Sequence, residues 1–194
     1  MDITAIGKDD QRYPRTAMAL LGDHAPECIC AMGNLDILDQ PMLALFCSSQ
    51  CPGSIILQTY DFVSALRNSG APVISGFHSP VEKECLRLLL RGSQPIVICP
   101  ARSIERMRIP TEWRDALAAG RLLILSPFEP HHRRVTAETA QYRNLFVAAL
   151  ADRILIPHAA PGSKTEAFAR KVAGRGKKTV GLEDVQREGG APWS

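Results

Sequence analysis

The sequence contains no long hydrophobic run, and its longest apolar stretches have about the length of a β-strand. A helix that crosses a bilayer needs about 20 apolar residues, and a secretory leader needs a basic segment followed by an apolar one. Neither pattern is present at the N-terminus. We therefore expect a cytoplasmic protein that does not associate with a membrane.

A large excess of charge of one sign is also missing. The 194 residues include 23 Lys and Arg against 20 Asp and Glu, which gives a net charge of +3. A protein that holds nucleic acid through charge alone needs a stronger basic field. The composition therefore allows a polyanionic partner without requiring one, and a hydrophobic content of 45% is enough for one buried core.

The six cysteines lack the spacing of a zinc knuckle. Cys28 and Cys30 are separated by a single residue, and Cys47 and Cys51 by three, whereas a knuckle normally has two. No pair of histidines accompanies them. The pattern favours reduced thiols over a zinc site, and we expect neither a metal nor a cofactor.

Short apolar runs alternate with helix-period segments along most of the chain, as in sheets whose parallel strands are joined by crossover helices. The predicted strands are residues 42–47, 72–75, 95–99, 122–126, 153–157 and 178–181. The pattern predicts an α/β fold, a doubly wound and mainly parallel sheet of about six strands in a Rossmann-like three-layer sandwich.

We divide the chain into an N-terminal lead-in packed on the core (residues 1–41), a Rossmann-like domain (residues 42–182) and a flexible tail (residues 183–194). Two helix starts are well marked. Ser79 and Glu82 form a predicted capping box with Pro80 at the first helical position, and Ser163 and Glu166 repeat the pattern.

The loops that follow three of the predicted strands are small and polar, at residues 48–53, 76–79 and 159–164. Helix N-termini at the carboxyl ends of parallel strands suit phosphate groups. The same residue types also serve as ordinary helix caps, so each loop alone is weak evidence. The basic loop at residues 131–134 is compatible with phosphate contact and with simple solvation. His78 and His158 are best explained as loop histidines without a catalytic role.

Several motifs resemble the DprA/Smf family of DNA-processing proteins, in order and over nearly all of residues 13–181. The similar segments are Arg12-Tyr13-Pro14, residues 33–38, 46–49 and 75–82, Tyr142-Arg143-Asn144, and Ala151-Asp152 with Gly162-Ser163. The resemblance implies a domain that binds single-stranded DNA or a nucleotide-like phosphate ligand. The implied ligand-binding residues are Ser48, Ser49, Gly53, Gly76, Arg143, Asn144, Gly162, Ser163 and Lys164.

The sequence departs from the family pattern at several basic positions. Ser49 stands in place of an arginine, Ser79 and Pro80 replace an Arg-Gly pair, and Leu145 replaces the second arginine of an Arg-Asn-Arg element. Fewer positive charges are therefore available to contact a phosphate backbone.

Two alternative hypotheses remain open. Arg143, Ala151-Asp152 and residues 161–166 are similar to motifs of the LOG-type nucleotide phosphoribohydrolases, in which an arginine and a glutamate are catalytic. Glu166 is instead predicted to cap its own helix, so we favour binding over catalysis. The second alternative is a non-catalytic partner in an oligomer, including a homo-oligomer.

Overall fold

The computed structural model describes residues 2–187, in which eight strands form one sheet with the order β1-β2-β6-β5-β4-β3-β7-β8. The strands are β1 (Thr4–Gly7), β2 (Cys28–Gly33), β3 (Leu43–Leu45), β4 (Val73–Ser75), β5 (Ile96–Ile98), β6 (Leu122–Ser126), β7 (Arg153–Leu155) and β8 (Lys178–Val180). The helices are α1 (Arg15–Leu21), α2 (Gly53–Leu66), α3 (Pro80–Leu90), α4 (Thr111–Ala118), α5 (Ala137–Leu150), α6 (Lys164–Ala173) and α7 (Leu182–Arg187).

The six strands from β3 to β8 run parallel, so the prediction of a mainly parallel Rossmann-like sheet is confirmed. The sheet has two more strands than the six predicted, since β2 pairs antiparallel with β6 and β1 pairs antiparallel with β2. Both additional strands come from the segment that we named the lead-in. The boundary at residue 42 remains a prediction, and residues 188–194 of the expected tail lie outside the described residues.

The central strands are short and buried on both faces, which explains their continuous apolar sequences. In β3, Leu43 and Leu45 pack into the cluster formed with α2, α3, α4 and α7. Ala44 points to the opposite face and packs with α1 and α5. This alternation is the two-residue period of a strand between two helical layers.

The strand order reverses direction between β3 and β7. β3 pairs with β4 on one side and with β7 on the other, although β7 is more than a hundred residues further along the chain. In an open parallel sheet, ligands bind beyond the carboxyl ends of the strands at such a switch point. A ligand site is therefore expected at the loops after β3 and β7.

No helix within residues 2–187 has both the length and the apolar character that a membrane-spanning segment needs.

Candidate phosphate-binding site

Ser48 connects the loops that follow β3 and β7. Its backbone N–H donates to the carbonyl oxygen of His158 at 3.1 Å, and its Oγ accepts a hydrogen bond from the N–H of Ala160 at 3.1 Å. The same Oγ lies 3.3 Å from the Oγ of Ser163, which caps α6 by accepting from the N–H of Glu166. Two of the three polar loops therefore meet at the switch point.

Arg143 brings the loop after β4 to the same place. Its side chain rises from α5, only 4% of the residue is exposed, and the guanidinium group lies directly over Gly76. A Cβ atom at Gly76 would overlap this guanidinium group, so only glycine allows the approach. Nη1 donates to the carbonyl oxygen of Cys99 and Nε to Oδ1 of Asn144, both at 2.7 Å.

The Arg143 guanidinium group has a hydrogen-bond donor, Nη2, that remains available to a ligand. Burial lowers the pKa of Arg143, and the nearby carboxylate of Glu82 opposes this shift. A guanidinium group remains charged at neutral pH even so. Its Nη2 donates to no acceptor within residues 2–187, and it is not among the atoms sealed from solvent.

Glu82, which is 7% exposed, is one of the site residues that the sequence analysis did not predict. The predicted capping box with Ser79 is confirmed, but the carboxylate does more than cap α3. It accepts hydrogen bonds from the N–H of His78 at 2.8 Å and from the N–H of Cys47 at 2.9 Å, at the end of β3. The hydrogen bond between Cys47 and Glu82 joins residues that are 35 positions apart in the sequence, so no local motif predicts it.

A crevice of about 660 Å³ opens between these loops, α5 and α6. Four of the nine predicted residues line it, namely Ser49, Arg143, Asn144 and Lys164. Lys164, the first residue of α6, and Ser49 are both exposed. Lys171, His78 and Glu82 also line the crevice and were not in the predicted set.

The other five predicted residues lie outside the lining of the crevice. Ser48, Ser163 and Gly76 shape its base through the contacts described above. Gly53 is an exposed residue at the start of α2, and Gly162 is an exposed turn residue with a φ of 71°. The ligand-binding role of all nine residues stays a prediction.

Glu166 does not face the crevice. Its Oε2 accepts a hydrogen bond from the N–H of Gly162 at 2.9 Å, and its Oε1 accepts one from Nη2 of Arg170 at 2.8 Å. The hydrogen bond from Gly162 is the main cause that lowers the pKa of Glu166, and Arg170 adds to it. Both oxygens are thus engaged in holding the start of α6, which leaves the carboxylate poorly placed to assist the cleavage of an N-glycosidic bond.

We accordingly expect no free base above background when the protein is incubated with nucleoside monophosphates. Chromatographic separation of bases from nucleotides measures this directly, with Glu166→Gln run in parallel. Base release by the unmodified protein that Glu166→Gln removes would instead support a phosphoribohydrolase.

The thiols near the crevice are buried and uncharged. Burial raises the pKa of the Cys99 thiol to about 12, and it raises that of Cys47 as well. A neutral thiol is a poor nucleophile and a poor metal ligand. Within residues 2–187, no group of three or more His, Cys, Asp or Glu side chains is arranged to hold a metal ion.

The sequence matches the family described as DNA recombination-mediator protein A over residues 4–184. The fold is similar to that of DNA processing protein A from Streptococcus pneumoniae, with a TM-score of 0.76 and 16% identity over 97% of this chain and 70% of that chain. It is also similar to DNA processing protein A from Helicobacter pylori, with a TM-score of 0.73 and 20% identity over 98% of this chain and 90% of that chain. None of the curated proteins matches the sequence significantly.

Proposed function

Because this chain belongs to the DNA recombination-mediator protein A family, we propose that its crevice binds the phosphate backbone of single-stranded DNA. The structure of the Helicobacter pylori protein is described as showing a single-stranded DNA binding mode, which is a property of that protein. The observation that carries the proposal is the buried guanidinium group of Arg143, which lines the crevice, is held in place by two hydrogen bonds and has at Nη2 a donor without an acceptor within residues 2–187.

The charges around the crevice favour an anion. Arg143, Lys164 and Lys171 line it with positive charge, and Glu82 is the one carboxylate among its lining residues. The carboxylate of Glu82 already accepts hydrogen bonds from the backbone N–H groups of His78 and Cys47. Its charge is therefore partly compensated from the protein side, and the cations remain available to phosphate.

The substitutions at family positions lower the expected affinity. Ser49 is exposed at the rim of the crevice, where an arginine would reach the ligand. Leu145 is partly buried and packs against the hydrophobic core. Single-stranded DNA binding without these two charges depends more strongly on Arg143 and Lys164. The alternative of a homo-oligomer stays open.

We predict that Lys164→Ala weakens the binding of a labelled oligothymidylate by about 1 kcal/mol, or roughly fivefold, because one charged phosphate contact is lost. The slope of log affinity against log salt should fall by about 0.7, the value for one contact to a single strand. Fluorescence anisotropy titrations over a series of salt concentrations measure both quantities.

Arg91→Ala is the matched control, since Arg91 is exposed, ends α3 and does not line the crevice. It removes the same charge from the whole protein. If Lys164→Ala has no larger effect than Arg91→Ala, then the crevice is not the binding site.

A further inference from the structure

Two cysteines flank residues 48–50, the polar loop that contributes Ser49 to the crevice. Cys47 follows β3, is 4% exposed and lines the crevice. Cys51 is half-buried and lies two residues before the start of α2. Both side chains pack in the same hydrophobic cluster, so the loop begins and ends on one surface of the core.

The thiols of Cys47 and Cys51 are direct neighbours. Burial is the main cause that raises the pKa of Cys47, and Cys51 adds to it through its charge and through a hydrogen bond between the two side chains. Burial also raises the pKa of Tyr60, and both thiols are among the neighbouring groups that add to this shift. The two sulfur atoms therefore lie near one ring of α2. The residues between them belong to no helix or strand, so small torsional changes can bring the sulfurs together.

We propose that Cys47 and Cys51 form a redox-active dithiol, a modification site at which hydrogen peroxide closes a disulfide across the loop. Cys51, the more accessible thiol, reacts first. Its sulfur attacks one oxygen of the peroxide and the O–O bond breaks, which gives a sulfenic acid and one water molecule.

Cys47 completes the reaction. Its sulfur attacks the sulfur of Cys51, the S–O bond breaks, and the hydroxide leaves as water with the proton of the Cys47 thiol. Two electrons thus pass from the two thiols to one peroxide molecule, which becomes two molecules of water. This chemistry does not depend on which ligand the crevice binds.

A second pair, Cys28 and Cys30, provides an internal comparison. Both lie on one face of β2, their thiols also interact, and Cys28 is exposed. Their backbone is extended and held between β1 and β6. Residues two apart in a strand have Cα atoms separated by about 7 Å, at the upper limit for a disulfide. Accessibility alone therefore favours oxidation of this pair, whereas the loop geometry favours a disulfide between Cys47 and Cys51.

The disulfide restricts one wall of the crevice. It closes a ring of residues 47–51, in which Ser49 and Gln50 are exposed. Ser48 of the same ring holds the loop after β7 through its hydrogen bonds with His158 and Ala160. The oxidised loop has less freedom to adjust to a ligand, and reduction restores that freedom.

The test treats the reduced protein with a small excess of hydrogen peroxide and counts free thiols by alkylation and mass spectrometry. Two of the six thiols should be lost, and the mass should fall by about 2 Da because two hydrogen atoms leave. Peptide mapping should find Cys47 joined to Cys51. Dithiothreitol should restore all six thiols.

The matched control is Cys28→Ser/Cys30→Ser, which should still lose two thiols at an unchanged rate. Cys51→Ser should slow the loss of thiols about tenfold, since Cys47 is shielded from the oxidant. Cys47→Ser should stop at a Cys51 sulfenic acid, which dimedone traps.

The peptide map of the unmodified protein decides the question even if a variant fails to fold. A disulfide between Cys28 and Cys30, a disulfide between two protein molecules, or oxidation to sulfinic acid without any disulfide would each overturn the inference.

Discussion

Gly76→Ala is expected to weaken the binding of single-stranded DNA by about 1–3 kcal/mol and to lower the free energy of unfolding by about 2 kcal/mol. The added methyl group would occupy the position of the Arg143 guanidinium group. Arg143 then has to leave its place over the glycine and lose its hydrogen bond to the carbonyl oxygen of Cys99. One carbon atom thereby removes the principal anion contact of the crevice.

Urea unfolding and anisotropy titrations measure the two effects, and a double-mutant cycle identifies their cause. In an Arg143→Ala background the guanidinium group is absent, and with it the three atoms that lie nearest to the added methyl group. Gly76→Ala should then cause little further loss of stability or of binding. Additive losses in the cycle would show that Gly76 acts through something other than Arg143.

Glu82→Ala is expected to lower the free energy of unfolding by about 3–5 kcal/mol. The variant leaves the N–H groups of Cys47 and His78 without their acceptor, and Cys47 is only 4% exposed. It also removes the carboxylate that faces Arg143. The loss is therefore larger than that of an ordinary helix cap, which is worth about 1 kcal/mol.

Glu84→Ala is the matched control on the same helix. Glu84 forms its ion pair with Arg87 at the surface, two-thirds of the Arg87 side chain being exposed. Exposed pairs contribute little, so this variant should lie within about 0.5 kcal/mol of the unmodified protein in urea unfolding. Similar losses in the two variants would contradict the account of Glu82. Glu82→Gln, which keeps one acceptor oxygen, should fall between them.

Much of the fold could be predicted because buried parallel strands have recognisable sequences. Residues 122–126 and 153–157, for example, are mainly apolar; the first range coincides with β6, and the second covers the whole of β7 and two residues beyond its end. β2 was harder to recognise, since its sequence, Cys-Ile-Cys-Ala-Met-Gly, does not alternate between polar and apolar residues and it follows a proline-containing turn. β1 has only four residues, too few for a periodic signal.

The candidate site could be predicted only in part. Local rules identified the serine caps at positions 79 and 163, because a cap and its helix are neighbours in sequence. The predicted capping box at α6 did not form in full, because the Glu166 carboxylate accepts a hydrogen bond from the N–H of Gly162 and not from the N–H of Ser163. The contact between Gly76 and Arg143 joins a loop to a distant helix, and α5 is apolar on so many sides that its sequence does not show which face is buried.

The packing of Arg143 has a consequence for the entropy of binding. An arginine or lysine side chain has about 2 kcal/mol of rotamer freedom to lose when a ligand immobilises it. For Arg143 that freedom is already lost on folding, because Gly76, Cys99 and Asn144 fix the side chain. Lys164 is exposed and has to be ordered by the ligand itself. Of the two cations, the preorganised arginine therefore contributes more of its interaction energy to the affinity.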